Sequence, residues 1–406
     1  EHQRQLNIDL IYAQQCRRII DRLLGYKISP ILKKHLVSNN IIEKYKKIGC
    51  GRVQSVVARM VYDSMKQKEE SLKNDTSMTT TVIFDDLECK LCDFNLQPFK
   101  CSYSVIEKMV DSIKYVNENY NYVVYKIYKE KHNSYPPPPY TTSSLQQDAY
   151  CKLRYTPDKT MSYAQKLYEK GLITYMRTDS NHLSFEAINQ IKTYVAENFG
   201  QEYFHHKSSN NNNKAHEAIR PTNINNKTDL LCTESSRLYD LIKKRTIQSQ
   251  MIPAIIETTN IIITANQNFL IIYPFIHSIP ICIEKGYKIF DDDDNMQVNE
   301  INLTVGDIVQ FKKLTSIESI NNIKSLYNQS SLIKQLEKNG IGRPSTYASS
   351  IMKNFEYKYI KTSNIDGITK ELKTIILKKD IQKTSKKSII GGEKQKIIIT
   401  DLGKHV

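Results

Sequence analysis

The chain has 406 residues, 40% of them hydrophobic, and a formal net charge of +15. That length supports about two to four domains, each with its own core, and excludes a small disulfide-stapled scaffold. The basic excess points to a polyanionic partner, nucleic acid before an anionic membrane surface.

Residues 9–24 predict a helix. Asp9 can cap its start, Cys16, Ile19, Ile20 and Leu23 form an apolar stripe at spacings of three and four, and Gly25 is a stop signal. Arg18, Asp21 and Arg22 share another face, which is either a solvated charged surface or a grip on phosphates. The stretch GCGRVQ (49–54) leads into a second helix over 52–67, with Val53, Val56, Val57, Met60 and Val61 on one face. Glycines there admit a close phosphate, the helix start favours anions, and Arg52 and Gln54 can reach backbone or base.

The texture then turns to strand over 79–94 and 120–128, rich in Thr, Val, Ile and Tyr. Cys89 and Cys92 are the one close pair among eight scattered cysteines. A lone pair among alternating residues (Thr81, Ile83, Leu91, Phe94) reads as structural cysteines in a strand rather than a zinc site. The scatter itself indicates a reducing compartment. Pro136–Pro139 form a stiff extended connection, followed by a helix in which Ser143 and Gln146 have capping-box spacing. A further helix covers 160–170, with Ala164, Leu167 and Tyr168 inward and Gly171 at its end.

The next stretch, GLITYMRTDS (171–180), crowds chemistry into six positions. A phenol ionises near pH ~10 and needs help to act as a nucleophile. Arg177 supplies a permanent cation whose planar fork suits phosphate. If 172–177 is extended, Tyr175 and Arg177 address the same side. Thr178 and Ser180 add hydroxyls, and Asp179 can hold the arginine or orient the turn. The set suits attack on a phosphodiester, giving a phosphotyrosine that keeps the bond energy and permits resealing without ATP. The alternative is a tyrosine packed under a loop beside a salt-bridged arginine.

In KAHEAIRPT (214–222), His216 can donate to phosphate or move a proton, and Arg220 can clamp a phosphate or hold Glu217. The alternative is the end of a surface helix with an ordinary ion pair. Residues 208–213 (SSNNNN) read as a polar loop insert, and 234–250 as a helix. Strand texture returns at 261–264, 269–273, 281–285 and 308–312, and the aspartates 291–294 read as a solvated loop rather than a metal site. Residues 331–351 predict a helix–turn–helix. Leu332, Ile333 and Leu336 make the first helix, Gly340 and Gly342 the turn, and Pro344 the start of the second. Arg343, Ser345 and Thr346 then crowd a helix N-terminus, a phosphate site or a packing corner. A hairpin over 357–376 would follow as a wing.

No apolar run reaches the ~18 residues a membrane span needs. The nearest, 261–283, is broken by Asn266, Gln267, Asn268, Pro274 and Pro280. No signal peptide is visible, and an opening at Glu1 without Met fits a fragment or a processed product. The order α, β, α, β, α predicts a multidomain α+β protein. Its two β segments (70–135 and 254–328) form one discontinuous domain. The outer helical segments (1–69 and 329–406) form another, and 136–253 is a helical domain carrying Tyr175.

Taken together, AQQCRRIIDRLLGY (13–26), GRVQS (51–55), TTSSLQQDAY (141–150), ITYMRTDS (173–180), AHEAIRPT (215–222) and GIGRPSTYA (340–348) resemble type IA DNA topoisomerases. Met176 leans toward the bacterial topoisomerase I branch, since the topoisomerase III branch usually has proline there. The resemblance implies a toroidal clamp around single-stranded segments of negatively supercoiled DNA, acting as a monomer without ATP. The tyrosine matching Tyr175 attacks a phosphodiester, keeps the 5′ phosphate and frees a 3′ hydroxyl. A second strand passes through the gap, which then reseals, and negative supercoils relax. Arg177 matches a residue that assists cleavage. Arg18, Asp21, Arg22, Arg52, Gln54, His216, Arg343 and Thr346 match positions that place the strand. Ser55, Asp179, Glu217, Arg220 and Ser345 lie within the same motifs and are assigned with them. Tyr26 matches an aromatic that stacks on a base.

Two departures accompany the match. Gly49 and Cys50 stand where the family commonly has Ser-Ala, so one hydroxyl contact is replaced. The Mg²⁺ of the family is held by an acidic cluster on an N-terminal Toprim domain, expected upstream of Glu1, and no paired cysteines mark C-terminal zinc ribbons. A topoisomerase III-like decatenase and a non-catalytic DNA-binding remnant are the alternatives within the resemblance. A tyrosine recombinase would need its tyrosine near the C-terminus, and a winged-helix regulator leaves 171–180 unused. The Ile, Lys, Asn and Tyr bias and the lack of Trp fit an AT-rich genome. Together with that bias, the resemblance implies an intracellular, genome-associated protein of a nucleoid, or of a plastid or mitochondrion.

Overall fold

The computed structural model describes residues 7–45, 47–93, 95–206, 216–226, 232–265, 274–291 and 302–406. The expectations for Phe94, the insert 208–213, Lys214 and Ala215, the strand 269–273 and the aspartates 292–294 lie outside these residues.

The chain opens with α1 (Ile8–Leu23), a π-helical turn (Leu24–Ile28) and α2 (Ser29–Ser38), then α3 (Gln54–Ser71). Gly25 therefore does not end the first helix. Pro30, in the first turn of α2, brings no amide, and the ladder ahead of it widens so that Ser29 donates its amide to Leu24 O. The apolar stripe of α1 also departs from expectation, because Ile19, Ile20 and Leu23 all stay exposed.

Next come β1 (Thr76–Phe84), β2 (Leu87–Leu91), β3 (Lys100–Cys101), α4 (Tyr103–Asn119) and β4 (Tyr122–Ser134). The middle is helical: α5 (Thr142–Asp148), α6 (Pro157–Glu169), α7 (Phe185–Asn198) and α8 (Thr233–Gln248). Then follow β5 (Ala254–Ala265), β6 (Phe275–Glu284), β7 (Ile308–Val309) and β8 (Phe311–Ile320). The chain closes with α9 (Gln329–Lys338), α10 (Tyr347–Glu356), β9 (Ile360–Ile365), β10 (Ile368–Leu377), β11 (Ile381–Ile390), β12 (Glu393–Ile399) and α11 (Asp401–Lys404).

Both β segments enter one sheet, in the order β11-β10-β8-β1-β2-β6-β5-β4-β7, with β3 on β1. The alternation in β1 explains why: Met78, Thr80, Val82 and Phe84 are buried while Thr79 is exposed. Met78, Val82 and Phe84 join Ile106, Val110 and Ile113 of α4 and Ile263 and Phe275 of the second segment in a shared core. Cys89 lies in that core, and Cys92 is buried just beyond β2. Burial pushes their thiols up to about 12 and about 11, so they stay protonated, as structural cysteines do. The outer helical segments share a second core, with Val57 and Val61 of α3 against Leu332, Ile333 and Leu336 of α9 and Ile351 of α10. The middle helices pack around Leu145, Ala164, Leu167, Leu238 and Ile242. Among the described residues no helix is long and apolar enough to cross a membrane.

The expected wing over 357–376 is not one hairpin. β9 pairs with β12, and β10 pairs with β11 and with β8. Ile365 faces Glu393 and Ile368 faces Ile390, so the register runs on across the break and the four strands make one long ribbon. Asp366–Gly367 looks like a hairpin turn in sequence but is only a kink. Gly391 opposite it has φ +75°, and a Cβ on Gly367 would lie 2.4 Å from Ile390 O. Beside the kink of this ribbon, Glu393 pairs with buried Lys68 of α3 and accepts from Ser325. It also accepts from the Leu326 amide (3.0 Å) and lies 3.1 Å from Lys396 Nζ. One carboxylate thus ties α3, the connector before α9 and the ribbon together.

Candidate active site

The tyrosine loop is set by the end of α6. Gly171 takes φ +68°, its amide donates to Tyr168 O (2.8 Å), and the Leu172 amide donates to Leu167 O (2.9 Å). This left-handed cap turns the chain back along the helix. Residues 172–177 then form a bend rather than a strand, with one bridge between Ile173 and Pro221. Met176 is buried in the helical core and Arg177 is exposed. Two threonines fix the backbone on either side of Tyr175. Thr174 Oγ1 donates to Ala218 O (2.6 Å) and accepts from the Arg220 amide (3.0 Å). Thr142 Oγ1 donates to Met176 O (2.7 Å) and accepts from the Thr178 amide (2.8 Å).

The Thr142 clamp is buried, so Thr142→Val strands two polar backbone groups without changing side-chain volume much. We expect a loss of about 2 kcal/mol in urea denaturation. With Tyr175 as the expected nucleophile, adduct formation should fall with it, because the loop loses its fixed position.

The Tyr175 ring is half-buried between two others. Tyr168 meets it edge-to-face with centroids 5.4 Å apart, and the His216 ring lies 5.2 Å away. The phenol oxygen makes no hydrogen bond among the described residues, and neither does the Arg177 guanidinium. Both are free to meet a ligand from solvent. His216 is exposed and lies in a bend rather than at a helix end.

Arg220 is turned inward. Nε donates to Glu217 (2.7 Å), Nη1 to Pro221 O (2.9 Å) and Nη2 to Ser184 Oγ (3.2 Å). Burial alone would raise the Glu217 carboxyl, but the Arg220 bond and charge and the Ser184 bonds outweigh it and hold it below the usual range. Of the two readings for Arg220, the structure thus shows the ion pair with Glu217.

The Arg343–Thr346 stretch reaches the same neighbourhood. The second helix starts at Tyr347, three residues after Pro344, because 343–346 close a turn of their own. The Arg343 amide donates to Thr346 Oγ1 (2.8 Å), and the Thr346 amide donates to Arg343 O (2.8 Å). Ser345 is exposed. Tyr347 is raised by burial first, then by the charges of Glu337 and Asp179, with Arg343 opposing. The charges of Asp179 in the tyrosine loop and of Arg343 thus both act on the Tyr347 hydroxyl. A second tie is Ser143 Oγ to Glu337 Oε2 (2.7 Å). The cap of α5 is Thr141 with Ser144 rather than Ser143 with Gln146, which leaves Ser143 free for that contact.

The N-terminal residues form their own cluster. Arg52 Nε donates to Asp21 Oδ1 (3.0 Å), and Arg22 lies over the exposed Tyr26 ring. Arg18 is exposed with no hydrogen bond or ion pair among the described residues. Gln54 is turned into the loop, donating to Gly49 O (3.3 Å), and is 9% exposed. Ser55 Oγ sits 3.0 Å from Cys50 Sγ. None of these residues hydrogen-bonds or ion-pairs with the Tyr175 loop. Sequence reasoning missed Thr142 and Thr174, whose role rests on contacts 34 and 44 residues away, and it placed Tyr168 in the core.

A family model described as DNA topoisomerase matches residues 5–406. DNA topoisomerase 1 of Helicobacter pylori (strain 26695) is 34% identical over 402 residues, covering 93% of this chain and 53% of that protein. The Escherichia coli K12 DNA topoisomerase 1 is 33% identical over 379 residues, covering 89% of this chain and 42% of its own length. The full-length topoisomerase I structure from Thermotoga maritima superposes with a TM-score of 0.67 at 32% identity, covering 88% of this chain and 58% of that one. The chain spans about half the length of the curated relatives it matches.

Proposed function

The chain belongs to the type IA DNA topoisomerase family, in its bacterial topoisomerase I branch, and from that premise we propose that it is the strand-cleaving core of an enzyme that relaxes negatively supercoiled DNA. The observation that carries the proposal is the Tyr175 phenol oxygen, which makes no hydrogen bond among the described residues. It is carried on a backbone clamped on both sides, with Arg177 two residues on. Tyr175 Oη bonds to phosphorus, the bond to the 3′ oxygen breaks, the phenol gives up its proton and the 3′ oxygen leaves as a hydroxyl. Religation reverses each step. Arg177 pairs with the phosphate, and His216, beside the attacking ring, donates to a phosphate oxygen or moves the proton. Arg18, Asp21, Arg22, Tyr26, Arg52, Gln54, Ser55, Asp179, Glu217, Arg220, Arg343, Ser345 and Thr346 place the strand, directly or by holding a neighbour. Met176 and the names of the relatives favour relaxation over decatenation, and the intact Tyr175–Arg177 pair favours an enzyme over a binding remnant.

Mg²⁺ dependence is general to the family. Among the described residues no three His, Cys, Asp or Glu side chains gather to hold an ion; the proposed holder of the metal is the acidic cluster of the family's Toprim domain. The domain division is the one given above, 1–69, 70–135, 136–253, 254–328 and 329–406, in a monomeric toroid. The location is intracellular and genome-associated, in a nucleoid or organelle.

The test of function is plasmid relaxation by the full-length protein with Mg²⁺, the cleaved strand held by its 5′ phosphate. A 3′ linkage would overturn the family mechanism. Single-strand binding should also be salt-sensitive. If about four phosphates are neutralised, affinity falls roughly fifty-fold between 50 and 200 mM salt. A flat response would count against phosphate recognition.

A further inference from the structure

The backbone around Tyr175 is fixed by Thr142 and Thr174, yet the side chain still has two torsions that aim its hydroxyl. No hydrogen bond to that hydroxyl exists among the described residues, so ring contacts must do the aiming. Two are present. His216 is exposed and, in the reading above, engages the DNA. Tyr168 is different. It sits in the last turn of α6, a helix anchored by Ala164 and Leu167, both fully buried. The left-handed cap at Gly171 fixes the chain between the two tyrosines. Tyr168 itself is 41% exposed and belongs to none of the apolar cores. Its ring meets Tyr175 at 5.4 Å and 67°. An edge-to-face pair is directional because the ring edge is positive and its face negative, so it selects an angle that aliphatic packing does not.

We infer that Tyr168 is a positioning residue whose ring holds the Tyr175 phenol at its angle of attack. This rests on Tyr175 being the nucleophile. Small misalignments of a reacting atom are costly in rate, whereas strand binding does not depend on that angle.

The test uses the full-length protein with Tyr168→Phe, Tyr168→Leu and Tyr168→Ala. The readouts are single-turnover cleavage of an end-labelled single strand, binding of the same strand, thermal melting and mapping of the adduct peptide. Phe keeps the ring and should cleave within about twofold of wild type. Leu and Ala should cleave roughly ten- to a hundredfold more slowly, with binding within about twofold and melting little changed. Leu refills the volume, so its failure to rescue separates aiming from packing. Wild-type cleavage by Leu, an equal loss in Phe, or a loss confined to binding would each overturn the inference. Peptide mapping keeps the two readings apart: a wild-type adduct on a residue other than Tyr175 refutes the nucleophile and this inference with it. An adduct on Tyr175 with unaffected Leu refutes this inference alone.

Discussion

Tyr175→Phe lowers covalent protein–DNA adduct by at least roughly ten-thousandfold while single-strand affinity stays within about twofold. The substitution removes one oxygen. That oxygen has no protein partner among the described residues, so no buried donor or acceptor is left unpaired. The ring keeps its contacts with Tyr168 and His216. The backbone bonds through Thr142 and Thr174 do not involve the side chain. In the proposed reading binding relies on guanidinium and imidazole groups that remain, so cleavage and binding separate. The measurement is a denaturing gel of labelled strand with the full-length protein, beside a binding titration and a melt. Adduct at the wild-type level would show that another group attacks, and a large fall in melting temperature would show that the phenol is structural.

Much of this site was legible because its chemistry is local in sequence. Tyr175, Arg177 and Asp179 lie within five residues, and Arg343–Thr346 within four. The interleaved sheet was legible in outline, since β-branched alternation and helical spacing leave different textures. What escaped was set by distant partners. β10 and β11 lie near the C-terminus, yet they extend a sheet begun at Thr76, and no local signal fixes such pairing. Asp366–Gly367 carries the composition of a turn, but the ribbon continues through it because β9 finds its partner in β12. Tyr168 fell on the inward side of a helical wheel, and only the cap at Gly171 folds Tyr175 back onto it. Gln54 and Arg220 are polar residues in a DNA-binding context, so they invite assignment to the ligand. Their amide and guanidinium groups bond Gly49, Glu217, Pro221 and Ser184 within the protein, contacts that the local sequence does not announce.

Lys68→Met should destabilise the protein by about 3 kcal/mol at neutral pH, near the lower end for breaking a buried ion pair. The Lys68 side chain is 6% exposed and that of Glu393 15%, so losing the ammonium leaves a poorly hydrated carboxylate. Lys396, Ser325 and the Leu326 amide remain on it, which keeps the loss from being larger. Lys68→Met with Glu393→Leu should be milder than Lys68→Met alone, because no charge is then stranded. Acid checks the same clasp independently. Burial by itself would raise the Glu393 carboxyl. The hydrogen bonds from Lys68, Ser325, Leu326 and Lys396 outweigh burial and bring it down from 4.5 to about 2. Between those values the unfolded chain takes up a proton that the folded one refuses. The clasp therefore contributes fully above pH 4.5 and is lost as the pH falls toward 2. Glu393→Gln should remove that part of the acid dependence, giving a flatter stability profile below pH 4.5 than wild type. Urea denaturation across this range decides it, and parallel profiles would mean that Glu393 does not carry the linkage. Because the clasp ties α3 and the connector before α9 to the ribbon that runs into the large sheet, loosening it frees the helical and β-rich bodies to shift. The proposed strand passage has to control that motion, so on that reading the Lys68 variant should lose relaxation rate before it loses cleavage.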